Sequence, residues 1–466
     1  MKAPNIAIIG FLLSLILLTG AANRSAGGGW KAGVAIRDIT PQESIWLGGF
    51  GNRTRQSEGI SQRLHAKALA LEDRRGERLV IVTTDLLGFT RAIADPIVSR
   101  LAREAHLKRR SLILTSSHTH SGPVIRDYSV FAYGLNPEQT TAIERYSSFL
   151  ENQVVAAVMA ALKDLSPARI RVGEGSAGFG VNRRLAINPA GPVDPSVPVM
   201  QVESVAADGF AGKARAILFS YACHNTTLVG DSYQVHGDYA GVAQESLEKA
   251  HPEASALFMA GCGGDINPLP RGTVELVEKY GRQLAASVEN VLQGPMRNVE
   301  GTLSTAFEIV NLRWAPPPSK EEWQRRAQSP EAPRRRHALR MLDIIQQHGR
   351  LPEHYPYPVQ VASFGSTVVL VALGGEVVVD YPLRLRRELA SYPLWVVSYS
   401  NDVMGYIPSL RVLKEGGYEG GGAMTFYGRP GPWAPDVEER VVGAVKDLVP
   451  KTTRKTFNGI VKSPRP

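Results

Sequence analysis

The sequence is poor in cysteine, in long apolar runs and in the short motifs of several well-known hydrolases. Cys223 and Cys262 are its only cysteines, which excludes a disulfide-rich scaffold. In an oxidising compartment the two are able to pair, and two buried free thiols are the equal alternative. After the N-terminus, no apolar run reaches the roughly 20 residues that span a bilayer. The sequence has neither an HExxH zincin motif nor a GxSxG nucleophile elbow.

The N-terminus has the pattern of an export signal. Lys2 supplies a positive charge, residues 6–18 form an apolar run, and Gly20, Ala21 and Ala22 offer small side chains to a signal peptidase. The pattern predicts a signal peptide over residues 1–22 and an exported mature protein, periplasmic or secreted. An uncleaved anchor is the alternative.

The formal net charge of +9 is concentrated in two segments. One is an arginine-rich stretch over residues 325–340, and the other is a basic tail over residues 450–466 that is predicted to be disordered. Such clusters are able to make peripheral contact with an anionic membrane surface. A solvated helix face and a frayed tail are the simpler interpretation. No motif supports nucleic-acid binding, and an export signal argues against it.

Strand-like and helical patterns alternate along most of the chain, without an internal repeat. Strands are predicted at residues 79–84, 111–116, 199–205, 214–221, 254–259, 360–373 and 394–399. Helices are predicted at residues 92–107, 137–165, 239–250, 274–292 and 434–449, and a charged helical stretch at 320–347 is predicted to be an exposed excursion. This alternation predicts a single large layered α/β domain with mixed sheets over residues 30–449.

The strongest local motif is His118-Thr119-His120, which directly follows a strand-like run. In an extended chain alternate side chains share a face, so the two imidazoles are predicted to point the same way. Two imidazoles at an exposed strand end suit Zn²⁺, and an HxH pair without a metal is the alternative. The HxHxDH pattern of metallo-β-lactamases fails, because Gly122 stands where the aspartate is needed.

Three more polar clusters follow predicted strands or open a helix, at residues 223–227, 236–241 and 261–268. Asp238, in the second of these, has a helix N-cap as its structural alternative. Glycines in the third allow backbone N–H groups to approach a ligand closely. Since ligand sites of α/β proteins assemble at strand ends, the clusters together predict one site.

The ordered series of motifs resembles the neutral (non-lysosomal) ceramidases and their bacterial relatives from Gly33 to about Val449. The matching segments are GVAIRDITP at 33–41, GGF at 48–50, HTHSGP at 118–123, NR at 182–183, CHNTT at 223–227, GGEV at 374–377, NDVMGY at 401–406 and YEGG at 418–421. The resemblance implies a zinc cofactor and hydrolysis of the amide bond of an N-acyl, ceramide-like substrate.

The resemblance also implies roles for individual residues. The implied zinc ligands are His118, His224, Glu376 and Tyr406. His120 and Tyr418 are implied to assist at the reacting carbonyl, and Arg183 to orient a polar part of the substrate. Two further candidates have no such support. His236 is a substrate-contacting side chain or a residue at a helix start, and Asp265 is a candidate for proton transfer.

Two departures from the family pattern bear on the substrate. Asn267 stands where the family has a serine. Asparagine has no hydroxyl nucleophile, which excludes an acyl-enzyme through this position, but its amide can donate a hydrogen bond to an oxyanion. In addition, ceramidases usually carry a further β-sandwich domain, and we expect none after Val449.

The sequence therefore predicts an exported zinc-dependent amide hydrolase in which a metal-activated water attacks the carbonyl. Two alternatives remain open. One is a zinc hydrolase of a smaller amide or ester, and the other is a catalytically inactive exported binding protein of the same fold.

Overall fold

The computed structural model describes residues 29–128, 130–206 and 211–457. The predicted signal peptide and the end of the predicted basic tail lie outside these residues. The strands are β1 (Trp30–Asp38), β2 (Gly59–Ile60), β3 (His65–Glu72), β4 (Arg78–Thr84), β5 (Leu112–Ser116), β6 (Ser166–Ser176), β7 (Gly180–Asn182), β8 (Ser196–Val205), β9 (Ala211–Tyr221), β10 (Gln234–Val235), β11 (Ser255–Ala260), β12 (Ile266–Pro268), β13 (Arg297–Asn298), β14 (Leu303–Arg313), β15 (His354–Phe364), β16 (Val368–Leu373), β17 (Glu376–Val377), β18 (Leu394–Val397) and β19 (Tyr406–Ile407).

The helices are α1 (Arg91–Glu104), α2 (Val130–Tyr133), α3 (Pro137–Lys163), α4 (Asp238–Ala250), α5 (Val274–Gln293), α6 (Lys320–Arg326), α7 (Ala332–His348), α8 (Asp380–Glu388), α9 (Leu410–Glu415), α10 (Met424–Tyr427) and α11 (Val437–Phe457). A 3₁₀ turn, Arg109–Ser111, precedes β5, and a π-helical turn, Tyr418–Gly422, precedes α10. Across the part of the chain that the structure describes, every helix is too short or too polar to cross a lipid bilayer.

The larger of two main sheets has the strand order β11-β9-β8-β6-β1-β3-β4-β5, with β13 added beside β6. It is mixed: β11 pairs with β9 and β4 pairs with β5 in parallel, while the strands between them are antiparallel. The second sheet has the order β14-β15-β16-β18, and its last pair is parallel. The predicted mixed α/β architecture is therefore confirmed.

The two sheets pack face to face, and helices cover both outer faces. Neighbouring side chains of one strand point to different cores: Ala68 and Ala70 of β3 belong to the core under the outer helices, whereas Leu69 and Leu71 belong to the core between the sheets. This alternation follows from the period of two along a strand. A third core joins the second sheet to α8 and α11. The domain is thus a four-layer sandwich.

Most predicted elements are present with small shifts at their ends. The helix α3 begins after Asn136, whose side chain accepts a hydrogen bond from the backbone N–H of Gln139, while the Gln139 side chain bonds back to Asn136. This reciprocal pair fixes the start of the helix. The last helix differs more: it runs to Phe457 rather than ending at Val449, so it includes the first part of the predicted tail.

Candidate metal centre

Strand ends from both sheets meet at one edge of the sandwich. The strand β5 ends just before His118, and β9 ends just before His224, both in the larger sheet. In the second sheet, β16 ends just before Glu376. A backbone bridge between Thr115 and Ser400 ties the two sheets together at this edge. The predicted assembly of the polar clusters at strand ends is what the structure shows for these three residues.

The carboxylate of Glu376 lies against two imidazoles. Its Oε2 atom is 3.2 Å from Nε2 of His118 and 3.0 Å from Nε2 of His224. All three side chains are buried, and Oε2 accepts no hydrogen bond within the described residues. Burial on its own raises the pKa of Glu376, but the two imidazoles outweigh it and hold that pKa well below its ordinary value. Glu376 thus places one carboxylate oxygen, without a hydrogen-bond donor in the described part of the chain, between two imidazole nitrogens.

Each histidine is fixed through its other ring nitrogen. Nδ1 of His118 lies 2.6 Å from the carbonyl oxygen of Leu87, and Nδ1 of His224 lies 2.7 Å from that of Gly263. A carbonyl only accepts, so each Nδ1 carries a proton, and a neutral imidazole in this orientation presents the lone pair of Nε2 toward Glu376. Metal-binding histidines are oriented in this way by a hydrogen bond from the second nitrogen. Burial also lowers the pKa of His224 to about 4, which keeps it neutral.

Tyr406 completes a group of buried side chains with atoms that are able to bind a metal ion. We call these four side chains, His118, His224, Glu376 and Tyr406, the metal donors. It is the register partner of Glu376 in the parallel β17–β19 pair, and its Oη lies 3.2 Å from Nε2 of His224. Arg183 donates a hydrogen bond from Nη2 to the same Oη at 2.8 Å. Burial raises the pKa of Tyr406 well above its ordinary value, and the Arg183 charge opposes this.

The spacing of these donors fits a metal ion. Ligands at the ~2.0–2.1 Å bonds of tetrahedral zinc lie about 3.3 Å from one another. Oε2 of Glu376 is 3.2 and 3.0 Å from the two Nε2 atoms, and the His224–Tyr406 separation is 3.2 Å. A buried carboxylate oxygen without a hydrogen-bond donor, as Oε2 is among the described residues, is costly, and a cation among these atoms would satisfy it. Imidazole and oxygen donors suit several first-row metals, zinc among them.

His120 lies beside this group, but the backbone before it is a turn and not the predicted strand. The strand ends at Ser116, and His118 has a left-handed φ of 61°, so the predicted strand alternation across the two histidines is wrong. The tight turn still brings Nε2 of His120 to 3.2 Å from Nε2 of His118. His118, His120 and His224 thus form a group of nitrogens within 4.8 Å of one another. The backbone of Gly49, at φ 95°, approaches the His120 ring where a Cβ atom would collide with it.

A half-open pocket of about 410 Å³ leads to the donors. His118, His120, Glu376 and Tyr406 lie at its inner end. Its walls are mostly aromatic or apolar, and consist of Leu87, Tyr128, Ala132, Tyr133, Pro333, Tyr418, Phe426 and Tyr427, with Gly49, Gly51 and Asn52 at one side. A cavity of this size is at the small end of the ~300–1,000 Å³ range of ligand pockets.

The other predicted site residues differ in their position relative to the pocket. Tyr418 lines the pocket and is 45% exposed, so it is free to meet a ligand. Arg183 does not face open space: Nε donates to Glu419 at 2.7 Å and Nη1 donates to Asn267 at 3.3 Å, in addition to the Tyr406 bond. Arg183 therefore holds Tyr406 in place. Asn267 contacts Arg183, and it acts on Tyr406 only through that arginine.

Asp265 and His236 are not brought to the pocket wall. Asp265 is fully buried and accepts hydrogen bonds from the backbone N–H of Val379 and from the amide of Asn182. Burial raises the pKa of Asp265 to about 6. His236 is buried with Nδ1 accepting from the backbone N–H of Asp238, and burial lowers its pKa to about 4. Both side chains support the surrounding loops.

Sequence reasoning missed several aromatic residues of the pocket, above all Tyr427. Its hydroxyl donates to Oε1 of Glu376, the oxygen that does not face the histidines. Tyr128 lies next to it, with the two hydroxyls 3.4 Å apart. The only sequence signal for Tyr427 was its position shortly after the Tyr-Glu-Gly-Gly motif. Cys223 and Cys262 are both buried free thiols, which was one of the two alternatives for them.

Comparison with known proteins agrees with this fold. The family model of the N-terminal part of neutral/alkaline non-lysosomal ceramidases matches residues 30–273, more than half of the chain. Neutral ceramidase A of Dictyostelium discoideum is 27% identical over 271 residues, covering 52% of this chain and 36% of that protein. Neutral ceramidase B of the same organism is 26% identical over 275 residues, covering 53% and 37%. The chain thus spans little more than a third of these relatives.

A solved structure, that of neutral ceramidase from Pseudomonas aeruginosa, superimposes with a TM-score of 0.71. The superposition covers 91% of this chain and 75% of the Pseudomonas aeruginosa chain, at 20% sequence identity, which establishes a common fold. Together with the family match over residues 30–273, this likeness leads to one conclusion. The chain belongs to the neutral/alkaline non-lysosomal ceramidase family.

Proposed function

We propose that the protein is a zinc-dependent hydrolase that cleaves the amide bond of an N-acyl substrate. The observation that carries this proposal is the buried Oε2 of Glu376, which accepts no hydrogen bond from the residues that the structure describes and faces Nε2 of His118 and Nε2 of His224. Relatives named as neutral ceramidases support an amide as the bond that is cleaved. Zinc bound among these donors would lower the pKa of a water to about 7 and polarise a carbonyl.

The chain's own residues would then bind and orient the substrate. His120 lies at the inner end of the pocket beside His118, where its ring nitrogen is able to donate a hydrogen bond to a developing oxyanion. Tyr418 can do the same from the outer side, since its ring lies edge-on to Tyr406 with centroids 5.5 Å apart. Arg183 holds the Tyr406 hydroxyl, and the aromatic walls exclude water from the reacting bond.

The pocket bears on the choice between a lipid amide and a smaller substrate. Its volume of about 410 Å³ suits a short acyl group or part of a longer chain. Together with Asn267 at the family's serine position, this favours a small amide or ester as the second candidate substrate. We further propose that the protein is exported, on the strength of the N-terminal signal pattern, and that any contact with anionic membranes is peripheral.

The test compares zinc-loaded protein with the same protein after chelation, on ceramide and on short N-acyl substrates. Zinc per chain is measured by mass spectrometry alongside hydrolysis. We expect turnover that disappears on chelation and returns with zinc. Full activity after complete metal removal would contradict the zinc mechanism. Ligand binding without turnover of any acyl substrate would establish the binding-protein alternative instead.

A further inference from the structure

The charged stretch after β14 does not extend freely into solvent. The helices α6 and α7 form a hairpin with a small apolar core of its own, made by Trp323, Ala327, Ala338, Met341 and Leu351. This core is separate from the three large cores of the sandwich. The hairpin thus has a small core of its own, and other contacts attach it to the body of the protein.

These contacts lie at the pocket. The helix α7 touches α2 and α10, two short helices that each form part of the pocket wall. Ala132 and Tyr133 of α2 and Phe426 and Tyr427 of α10 line the cavity, and Pro333 in the first turn of α7 lines it as well. We call the α6–α7 hairpin, residues 320–348, the cap.

One side of the cap is anchored to the α2 wall by two arginines. Arg336 donates from Nη2 to the carbonyl oxygen of Ala132. Its Nη1 lies 2.8 Å from where a Cβ atom of Gly134 would be, so the guanidinium fills the space that this glycine leaves. Arg340 stacks over the ring of Phe131, 5.1 Å from its centroid, and its Nη2 is 3.6 Å from Asp127.

The same face of α7 is anchored to the segment after α10. Nε2 of His337 lies 2.8 Å from the carbonyl oxygen of Arg429. Gly428 ends α10 with a left-handed φ of 62°, and Nε of Arg340 lies 2.7 Å from where its Cβ atom would be. Arg340 therefore contacts both walls, and a glycine makes room for an arginine at each of them.

We propose that the cap is a specificity-determining element that fixes the separation of the two pocket walls and thereby limits the length of the acyl group. The inference rests on the proposed function. At their inner ends the walls meet through Tyr128 and Tyr427, whose hydroxyls are 3.4 Å apart. Away from this contact the cap joins them, and Pro333 of the cap lines the cavity. Arg336 and Arg340 are positioning residues in this scheme.

The test is a double variant, Arg336→Ala with Arg340→Ala, assayed with N-butyryl and N-dodecanoyl forms of one amine. The matched control is Arg325→Ala with Arg334→Ala, which removes the same charge from exposed positions of the cap that pair with Glu322 and Glu331. We expect the ratio of kcat/KM for the dodecanoyl to the butyryl substrate to rise about tenfold in the anchor variant, because a wall contact of this kind discriminates by about 10–200-fold. An unchanged ratio, or an equal rise in the control, overturns the proposal.

A second measurement separates this proposal from the proposed function. Binding of butyrate and dodecanoate to the zinc-loaded proteins is measured by calorimetry, which needs no turnover. The anchor variant should gain affinity for dodecanoate relative to butyrate, while the control keeps the native preference. If the native protein hydrolyses no N-acyl substrate, the proposed function fails, and the calorimetry still decides the role of the cap. Where the double variant does not fold, Arg340→Gln alone is measured in its place, with Arg334→Gln as its control.

Discussion

Glu376 and Tyr406 are register partners in a parallel pair of two-residue strands, β17 and β19. The pairing fixes both side chains relative to each other through the backbone, before any ligand is present. Tyr406 then reaches His224, and Glu376 reaches both His224 and His118. One short ladder therefore holds two of the candidate metal ligands directly after the strongly apolar strand β16.

The first prediction concerns the metal. His224→Ala should reduce bound zinc from about one per chain to almost none and abolish hydrolysis, because a structural set of three or four ligands does not tolerate the loss of one. Zinc per chain after dialysis is the measurement. His236→Asn is the control, since its amide oxygen can still accept from the N–H of Asp238 and the side chain lies outside the pocket. Equal zinc loss in both variants would contradict the ligand assignment.

The second prediction concerns Arg183. Arg183→Met should lower kcat by about 10–100-fold, because groups that orient a metal ligand typically contribute that much. It should also lower the free energy of unfolding by about 1.5–3 kcal/mol, since the buried Glu419 loses one of its two arginine partners and keeps the other. Urea unfolding and steady-state kinetics are the two measurements. Arg55→Met, at an exposed position, should change neither quantity. A rise in KM with kcat unchanged in Arg183→Met would indicate direct substrate binding instead.

The third prediction separates two roles of Asn267. If it acts by supporting Arg183, Asn267→Ala and Asn267→Ser should both lower kcat by about tenfold and leave zinc content unchanged, because neither side chain reaches the guanidinium. A serine variant with higher activity than the native protein would show that a hydroxyl at this position takes part in the reaction. Kinetics on one short N-acyl substrate, with zinc measured in parallel, distinguish the outcomes.

The fourth prediction is a pH dependence of stability that originates at Asp402. This carboxyl group is 3% exposed and accepts a hydrogen bond from Tyr355 at 2.7 Å. Burial raises its pKa to about 6 from an ordinary value of 3.8, although Arg429 and Arg91 oppose the rise. The folded state thus keeps the proton to higher pH than the unfolded state. Its stabilising contribution is complete below about pH 4 and is lost as the pH rises through about 6.

Asp402→Asn retains the acceptor for Tyr355 but cannot ionise. Relative to the native protein, its free energy of unfolding should therefore increase between pH 4 and pH 7, by on the order of 2–3 kcal/mol. Urea unfolding at several pH values measures this difference. The exposed Asp231→Asn variant should show a constant difference from the native protein. A constant difference for Asp402→Asn as well would mean that the group ionises normally in the fold.

The long elements were predictable because periodicity and capping residues define them locally. The helix α3 is an example: its regular apolar face predicted its range to within two residues, and the asparagine, proline and glutamine at its start fix where it begins. The ladders β17–β19 and β12–β7 were not predictable, because two- and three-residue strands have no periodicity and form only through tertiary pairing.

The sequence predicted which residues form the site better than it predicted how they are arranged. The motifs indicated His118, His224 and Glu376, and the structure brings them together. Strand alternation did not predict how His120 is presented, because a left-handed residue interrupts the chain at His118. Arg183 reads as a substrate contact in the sequence, whereas its three bonds to other side chains become evident only when distant segments meet.

The four donors are divided between two sheets. His118 and His224 follow strands of the larger sheet, while Glu376 and Tyr406 belong to the segments that follow strands of the second. A metal ion held by all four would therefore connect the two sheets at the edge of the sandwich where their strand ends meet. Separation of the sheets would require its release, so its binding free energy would add to the barrier against opening the domain. Thermal resistance and metal affinity would then rise and fall together in this protein.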